Sequence, residues 1–329
     1  MKKIFKIFMF AMLLVMAVGI EKVFAGDSSE LQMAGLAAVS GPALNQFAEK
    51  EMIKNFRHDN TWLAELKSKN QWVNNDVIKI PKQGAAPTVL IDNNVYPVAK
   101  SKREDSHVVV SLHKYDTTNT IVTADELNAL PYDKTSDVQQ QHREELEDVT
   151  AQHALHSISP ASHTATTPVL VATGAADASG RKKLTSKDIV ALKKALDKLN
   201  VPKNGRVLVL CTDHVADLLD EDRTFQTQYQ NAIDGVLSKN YYGFRTYESN
   251  YTPTYAATTN AKVAFGATAG PQVSSICFHS NTAVKATGSV QRFMRDASQD
   301  PENRENTIGF RLYFVAVAIK NEGIGAIIG

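Results

Sequence analysis

The sequence has little cysteine and almost no net charge. Its 329 residues include two cysteines and carry a formal net charge of +1. No overall field would therefore attract nucleic acid or an anionic membrane. Cys211 and Cys277 each lie in an apolar, strand-like run, which predicts two buried free thiols and gives no indication of a disulfide. With 43% hydrophobic and 22% charged residues, the chain has the composition of a globular protein of one large or two modest domains.

The usual sequence signatures of catalysis are also missing. Gly174 and Gly180 do not make a phosphate loop, because paired glycines and a following Lys-Ser/Thr are absent. Cys211, Asp213 and His214 combine a thiol, an acid and an imidazole, but no third orienting group or oxyanion loop accompanies them. A strand end that leads into a helix N-terminus, with Cys211 facing the core, is the simpler interpretation. We predict no enzyme activity, no cofactor and no small-molecule substrate.

Two groups of side chains could hold a metal ion in principle. His142, His153 and His156 fall on one face of a predicted helix, but no carboxylate is in register with them. The acids of a later helix lack the spacing of a cation-binding loop, so a solvated helix face is expected; they are Asp213, Asp217, Asp220, Glu221 and Asp222. We therefore predict no metal site.

The N-terminus differs from the rest of the chain. A basic start at Lys2, Lys3 and Lys6 precedes an apolar run over residues 7–20 and small-residue positions at 23–25. This order is typical of a bacterial secretory signal peptide, and the apolar run is short for a membrane span. Residues 1–25 are predicted to be such a leader or a removed propeptide.

The most informative stretch begins at residue 76. Residues 76–81 and 107–115 are predicted to be strands. Between them, residues 82–106 are rich in turn-forming residues and contain a charged run at 100–105. Such a hairpin tip cannot build a core of its own, so we expect its partners to lie on another molecule.

A long helix is predicted over residues 136–156, with Ser136 and Gln139 at capping-box spacing. One face carries a stripe in which half of the residues are histidine: Val138, His142, Leu146, Val149, His153 and His156. An acidic flank lies elsewhere on the helix: Glu144, Glu145, Glu147 and Asp148. A helix this polar is expected to lie across a surface and not in the centre of a core.

The remaining pattern predicts an α/β unit followed by long strands. The predicted helices cover residues 123–127, 186–199, 213–222 and 226–237. The predicted strands cover residues 169–171, 206–211, 242–247, 262–266, 274–279, 284–295, 310–319 and 324–328. A turn at residues 321–323 is expected to pair the last two strands.

This order of parts resembles a tailed-bacteriophage major capsid protein of the Hong Kong 97 fold. The most telling pieces are residues 206–219 (RVLVLCTDHVADLL), 275–288 (SICFHSNTAVKATG), 310–314 (FRLYF) and 322–328 (EGIGAII). They are similar to capsid sequences from phages and prophages of gut Bacteroidota. The resemblance implies an α+β fold with an N-terminal arm, an extended β-hairpin loop, a long spine helix, a peripheral β layer and an α/β axial lobe.

The resemblance also implies a domain order. Residues 1–25 would be the leader or propeptide, 26–75 the N-terminal arm, 76–115 the extended loop, 116–180 the peripheral domain with its spine at 136–156, 181–273 the axial domain, and 274–329 the return strands of the peripheral domain.

The implied function is structural. The chain would assemble with itself, as hexamers and pentamers, into the icosahedral shell of a tailed phage that encloses double-stranded DNA. Expected partners are portal and scaffold proteins and non-specifically contacted DNA, and the expected location is the virion. The leader favours a different hypothesis, an exported periplasmic or surface protein that is a hydrolase or a binding module.

In the resembling fold the loop of one subunit lies across its neighbour. Opposite charges are therefore expected to meet between subunits: Lys100, Lys102 and Arg103 on the loop, and Glu144, Glu145, Glu147 and Asp148 on the spine helix.

Overall fold

The computed structural model describes residues 60–70, 73–74, 77–84, 86–130, 132–230, 240–268 and 270–329. The chain divides into two compact units, Met1–Met52 with Val122–Thr135, and Ile53–Ile121 with Ser136–Gly329. The predicted leader and most of the predicted N-terminal arm lie outside the described residues.

Strands and helices are numbered in chain order. The strands are β1 (Lys67–Ser68), β2 (Val73–Asn74), β3 (Val77–Lys82), β4 (Ser106–Ser111), β5 (His113–Asp116), β6 (Thr120–Thr123), β7 (Val169–Val171), β8 (Arg206–Leu210), β9 (Arg245–Glu248), β10 (Ser274–His279), β11 (Ala283–Arg295), β12 (Glu305–Ala318) and β13 (Ile324–Ile328). The helices are α1 (Ala124–Ala129), α2 (Lys134–Ile158), α3 (Ser186–Lys198), α4 (Thr212–Glu221) and α5 (Arg223–Gln230).

In the smaller unit, α1 begins with a capping box. The Thr123 hydroxyl accepts a hydrogen bond from the backbone N–H of Glu126, and the Glu126 carboxylate accepts one from the backbone N–H of Thr123. Two backbone donors at the helix start are satisfied in this way. Glu126 also pairs with Lys134 at 2.6 Å.

In the larger unit, a mixed sheet of order β7-β13-β10-β8-β9 is covered on both faces. Every residue of β8 is buried. Val207 and Val209 face a core shared with α2 and the long strands. Leu208 and Leu210 face a second core formed with α3, α4 and α5. A strand buried on both sides has a continuous apolar sequence and no alternation.

The predicted pairing of the last two strands is wrong. β12 pairs with β11, whereas β13 pairs antiparallel with β10 and parallel with β7. Residues Asn321–Gly323 form a 3₁₀ turn that carries the chain from one sheet to the other. The apolar run of β13 fits this place because all five of its residues are buried.

The second sheet is built on the hairpin of β11 and β12, in the order β1-β11-β12-β5. The hairpin registers from Ala283 opposite Ala318 to Arg295 opposite Thr307. A register shift between Thr287 and Val290 interrupts it. Such irregularities bend a strand and increase its twist.

The long helix α2 is longer and more buried than predicted. It begins at Lys134, so Ser136 lies inside the helix and is not its cap. Its C-terminal half is part of the main core, where Leu155 and Ile158 are fully buried. The expectation that the helix lies only across a surface is therefore wrong for this half, because Ala151 and Ala154 let it approach the sheet closely.

Smaller differences affect the α/β region. The strand predicted at residues 262–266 does not form, and Lys262 makes only an isolated bridge to Tyr255. The predicted strand over residues 242–247 is observed as β9, Arg245–Glu248. Among the helices that the structure describes, none is long and apolar enough to cross a bilayer.

Candidate assembly interface

The β3–β4 hairpin forms a separate arm. β3 and β4 pair antiparallel from Val77 opposite Ser111 to Lys82 opposite Ser106, and β2 extends this three-stranded sheet. The strand predicted over residues 107–115 is divided at Leu112, so that β4 belongs to the arm and β5 pairs with β12. The chain thus passes directly from the arm into the body.

Leu112 anchors the base of the arm. Its side chain is buried in a small cluster with Ala286 and Val315 of the hairpin sheet. Burial of one large aliphatic side chain contributes about 1.5–3 kcal/mol to folding stability. The Leu112 contact therefore stabilises the attachment of the arm to the body of the subunit.

The arm tip spans residues 83–105 and is closed at its base by Asp105. Its carboxylate accepts a hydrogen bond from the backbone N–H of Gly84 at 2.8 Å and pairs with Arg103 at 2.7 Å. The bonds from Arg103 and Gly84 hold the pKa of Asp105 below its ordinary value. A Cβ at Gly84 would clash with the backbone carbonyl of Glu104, so the close approach of these two segments requires glycine.

The tip exposes large apolar side chains. Val89 is 83% exposed, Ile91 85% and Tyr96 76%. Leu90, Val95 and Val98 are exposed as well. Contiguous exposed apolar surface is typical of a site that binds another protein. The sequence pattern predicted a polar, turn-rich tip; the apolar residues are visible in the sequence between its turn residues, but their exposure is a property of the fold.

The predicted basic residues of the arm fall into two kinds. Lys100 and Lys102 are exposed. Arg103 is exposed too, but it pairs with Asp105 of the same tip. Lys100 and Lys102 are therefore the better candidates for contact with another subunit.

The predicted acidic flank of α2 is also divided. Glu145 and Glu147 are exposed, and Glu144 is half-buried and accepts a hydrogen bond from Gln140 at 2.6 Å. Asp148 is buried and accepts a bond from Asn60 at 3.3 Å. The prediction that Asp148 lies on an exposed flank of the helix is therefore wrong, because its side chain points into the protein.

A groove of about 660 Å³ lies between α2 and the segment that follows the arm. Glu145, Leu146 and Val149 line its helix side, and Tyr115 and Asp116 lie among the residues on the other side. It combines apolar and acidic surface beside the arm base. No sequence pattern indicated this groove, because its walls are distant in the chain.

No profile of a known protein family and no curated protein matches this sequence. Solved structures do match. The capsid of the cyanophage P-SCSP1u has a TM-score of 0.66 at 14% identity, over 87% of this chain and 92% of that chain. The capsid of the cyanophage Pam1 has 0.63 at 11% identity, over 88% and 97%. The mature capsid of bacteriophage PhiM1 has 0.60 at 12% identity, over 86% and 91%.

The chain has the fold of a phage capsid protein. The long coverage of both chains in each comparison means that the likeness extends over most of the fold and is not limited to one shared motif. The prediction of a mixed α+β capsid fold from the order of elements is confirmed at this level.

In this capsid-type fold the three histidines of α2 have separate partners. His142 hydrogen-bonds to the Thr120 hydroxyl at 2.9 Å, His156 to the carbonyl oxygen of Val263 at 2.8 Å, and His153 to the Tyr115 hydroxyl. Within the described part of the chain, no group of three or more His, Cys, Asp or Glu has the geometry of a metal site.

The cysteine and histidine after β8 are buried. Nδ1 of His214 lies 2.7 Å from the Ser275 hydroxyl, and that hydroxyl lies 3.9 Å from Sγ of Cys211. Burial raises the pKa of the Cys211 thiol to about 12 and lowers the pKa of His214 to about 4. A neutral thiol and a weakly basic imidazole do not make a nucleophile and base.

One residue of the predicted solvated acidic face is instead buried. Asp217 forms a two-bond ion pair with Arg181 at 2.7 and 2.8 Å and accepts the backbone N–H of Leu184 at 2.9 Å. The prediction was wrong here because Arg181 lies 36 residues away in the sequence.

Proposed function

We propose that this chain is the major capsid protein of a tailed phage, of the Hong Kong 97 type, and that copies of it assemble into an icosahedral shell enclosing double-stranded DNA. The likeness to assembled phage capsids over nearly nine-tenths of the chain supports this function. The likeness of its local sequence to capsid proteins of gut Bacteroidota phages belongs to the same proposal.

The observation that carries the proposal is the apolar surface of the arm tip. Val89, Ile91 and Tyr96 are each more than three-quarters exposed in the single chain. Each such side chain contributes about 1.5–3 kcal/mol when it is fully buried. A second copy of the chain is the partner that can bury this surface once in every subunit.

The contact between copies is heterologous, because the arm of one copy meets a different surface of the next. Such contacts close into rings when the rotation between copies permits it. The proposed hexamers and pentamers are rings of this kind, and repetition over a closed shell multiplies each weak contact.

The arm of one copy lies across α2 of its neighbour. The groove beside α2 offers Leu146 and Val149 as apolar surface and Glu145 as an acidic residue. Exposed Lys100 and Lys102 at the tip complement that charge. Arg103 and Asp148 contribute less to the contact than the sequence suggested, since Arg103 pairs with Asp105 and Asp148 is buried. Glu144 is half-buried and contributes less than the exposed Glu145.

The other parts of the proposal rest on the resemblance. Portal and scaffold proteins and packaged DNA are the expected partners, and residues 1–25 are the leader or propeptide. The domain bounds at residues 75, 115, 180 and 273 are part of the proposal as well. The bound at 273 separates strands of one sheet, because β10 and β13 lie after it and pair into the same sheet as β8, which lies before it. An exported hydrolase or binding module is the alternative that the leader favours, and the likeness to capsids does not favour it.

The test is expression of residues 26–329, followed by light scattering and electron microscopy. Shells, rings or capsomer-sized oligomers are expected. A monodisperse monomer over a wide range of concentration and salt would contradict the proposal. Fusion of residues 1–25 to a reporter that is active only in the periplasm tests the export alternative separately.

A further inference from the structure

A loop over residues 255–267 is held against the C-terminal end of α2. The Lys262 ammonium donates to the carbonyl oxygens of His156 at 2.6 Å and Ser159 at 2.9 Å. The Lys262 backbone N–H donates to the carbonyl oxygen of Ala161 at 2.7 Å. The Tyr255 hydroxyl donates to the carbonyl oxygen of Pro160 at 2.7 Å. The bond to His156 satisfies a carbonyl group of the last turn of α2, and the other three bonds hold the loop to the segment that follows the helix.

Two histidines of α2 form the rest of the contact. His156 hydrogen-bonds through Nε2 to the carbonyl oxygen of Val263 in the loop. The Phe265 ring packs on His153, with ring centroids 4.8 Å apart, and on His156 at 5.5 Å. Phe265 itself is 46% exposed, so this is an outer layer laid over the helix.

Strand β5 completes the surroundings of His153. The Tyr115 hydroxyl hydrogen-bonds to Nδ1 of His153, and the His113 ring lies edge-on to it at 4.8 Å. The charges that act on His153 come from His113 on β5, His156 on α2 and Lys262 in the loop. All three are basic, and Tyr115, the remaining titratable neighbour, is neutral at physiological pH.

We propose that residues 255–267 form a pH-sensitive latch, closed on α2 while His153 and His156 are neutral and released when both take up protons. Protonation places new positive charges beside Lys262 and His113, in a partly desolvated layer. The part of the loop after Tyr255 can relieve this repulsion by leaving the helix, whereas Tyr255 and α2 are fixed in the main core and β5 is fixed in the hairpin sheet. The latch depends on the observed contacts alone and stands apart from the proposed assembly function.

The direction of the pH dependence follows from linkage. Burial, and then the neighbouring positive charges, lower the pKa of His153. Burial lowers the pKa of His156, although its bond to Val263 opposes the shift. The unfolded or released state then binds protons first as the pH falls below about 6.5. The contribution of the two histidines to the latch is complete above that value and is lost as the solution becomes acidic.

Lys262 acts in the same direction. Burial lowers the pKa of its amine to about 8, so loss of its proton near that pH removes one charge from the layer. The contact between a protonated imidazole and the face of the Phe265 ring is attractive, but only this one ring provides it. The repulsion on a protonated His153 comes from three basic residues, His113, His156 and Lys262.

The test is hydrogen exchange, read by mass spectrometry on the full chain at about pH 7.5 and 5.5 and corrected for the intrinsic exchange rate. Peptides within residues 255–267 should lose protection by up to about tenfold per pH unit for each histidine that titrates. In the H153Q/H156Q variant, the new amide at position 156 can still donate to the Val263 carbonyl oxygen, but the loss of protection should disappear. H107Q removes an exposed histidine of the arm and should behave like the parent protein.

Two results would overturn the latch. One is protection of residues 255–267 that does not change with pH in the parent protein. The other is the same pH dependence in H153Q/H156Q as in the parent. If the double variant does not fold, the single H153Q variant must reduce the pH dependence, and an unchanged dependence there also excludes the latch.

Discussion

Gly288 of β11 lies directly beneath Leu112 at the base of the arm. A Cβ at position 288 would lie 3.1 Å from Cδ1 of Leu112 and 2.9 Å from the Cβ of Tyr313. The absence of a side chain at Gly288 therefore lets the arm join the sheet at close range, and it does so inside the irregularity between Thr287 and Val290.

Gly288→Val should displace Leu112 and weaken the joint of the arm. We expect the free energy of unfolding to fall by about 1–3 kcal/mol, the usual cost of an overpacked contact. Urea unfolding followed by tryptophan fluorescence measures this change. Ser289→Val is the matched control at the next, exposed position and should change stability by about 0.5 kcal/mol or less. Equal effects in the two variants would show that the Leu112 contact is not the cause.

Replacement of the apolar tip should prevent assembly and leave the subunit folded. The variant is Val89→Ser, Ile91→Ser and Tyr96→Ser, and its melting temperature should match that of the dissociated parent subunit because these side chains are exposed. Sedimentation velocity should report subunits in place of shells. Val190→Ser changes an exposed valine on α3 and should assemble normally. Normal shells from the triple variant would show that the tip makes no essential contact.

The charge pairing between arm and helix can be tested without disturbing the tip. Reversal of Lys100 and Lys102 to glutamate leaves the Arg103–Asp105 pair intact. It should slow assembly most at low salt, because each exposed pair contributes only about 0.2–1 kcal/mol and is screened. Added reversal of Glu145 and Glu147 to lysine should restore part of the rate, measured by light scattering. A double reversal no better than the single one means that the two segments do not face each other.

Arg181→Met should strongly destabilise the α/β region. It leaves Asp217 buried without its cation, which costs about 3–5 kcal/mol. Lys183→Met removes an exposed pair with Asp220 at 3.6 Å and should cost less than about 1 kcal/mol. Chemical denaturation of the two variants side by side measures the difference; similar values would contradict a special role for the buried pair.

The same pair predicts the acid stability of the parent protein. Burial alone would raise the pKa of Asp217, but the Arg181 and Leu184 hydrogen bonds hold it below the ordinary value of 3.8. A carboxyl with a lowered folded-state pKa contributes stability that is present above the ordinary value and is lost as the pH falls through the folded-state value. In Arg181→Met, burial acts without the Arg181 bond and raises the pKa of the same carboxyl, so the variant regains stability as the pH falls through that raised value. The gap in stability between the parent and the variant should therefore be largest near about pH 7 and narrow toward about pH 4. A gap that stays constant over this range would show that Asp217 titrates alike in the two proteins.

The sequence alone determined much of this protein. Continuous apolar runs predicted β8 and β13, and a short apolar run around Cys277 predicted β10. The 3.6-residue period predicted α3 and α4 within one or two residues. The turn-rich stretch between β3 and β4 predicted a projecting arm, and the order of elements predicted the capsid-type fold. These features are local, or depend on order along the chain, so periodicity and turn chemistry are enough to read them.

Only the tertiary structure decided which elements meet. β13 was assigned to β12 by proximity in sequence but pairs with β10 and β7, because its apolar residues are covered on both faces there. The sequence predicted that Asp148 and Asp217 are exposed to solvent. In the fold both are buried, because Asn60 and Arg181 from distant segments of the chain hydrogen-bond to them. The groove and the surroundings of His153 form because segments distant in the sequence pack together. The arm tip is exposed because the described part of the chain leaves its large apolar side chains largely uncovered. Burial and long-range pairing are properties of the packed chain, and no local pattern of residues encodes them by itself.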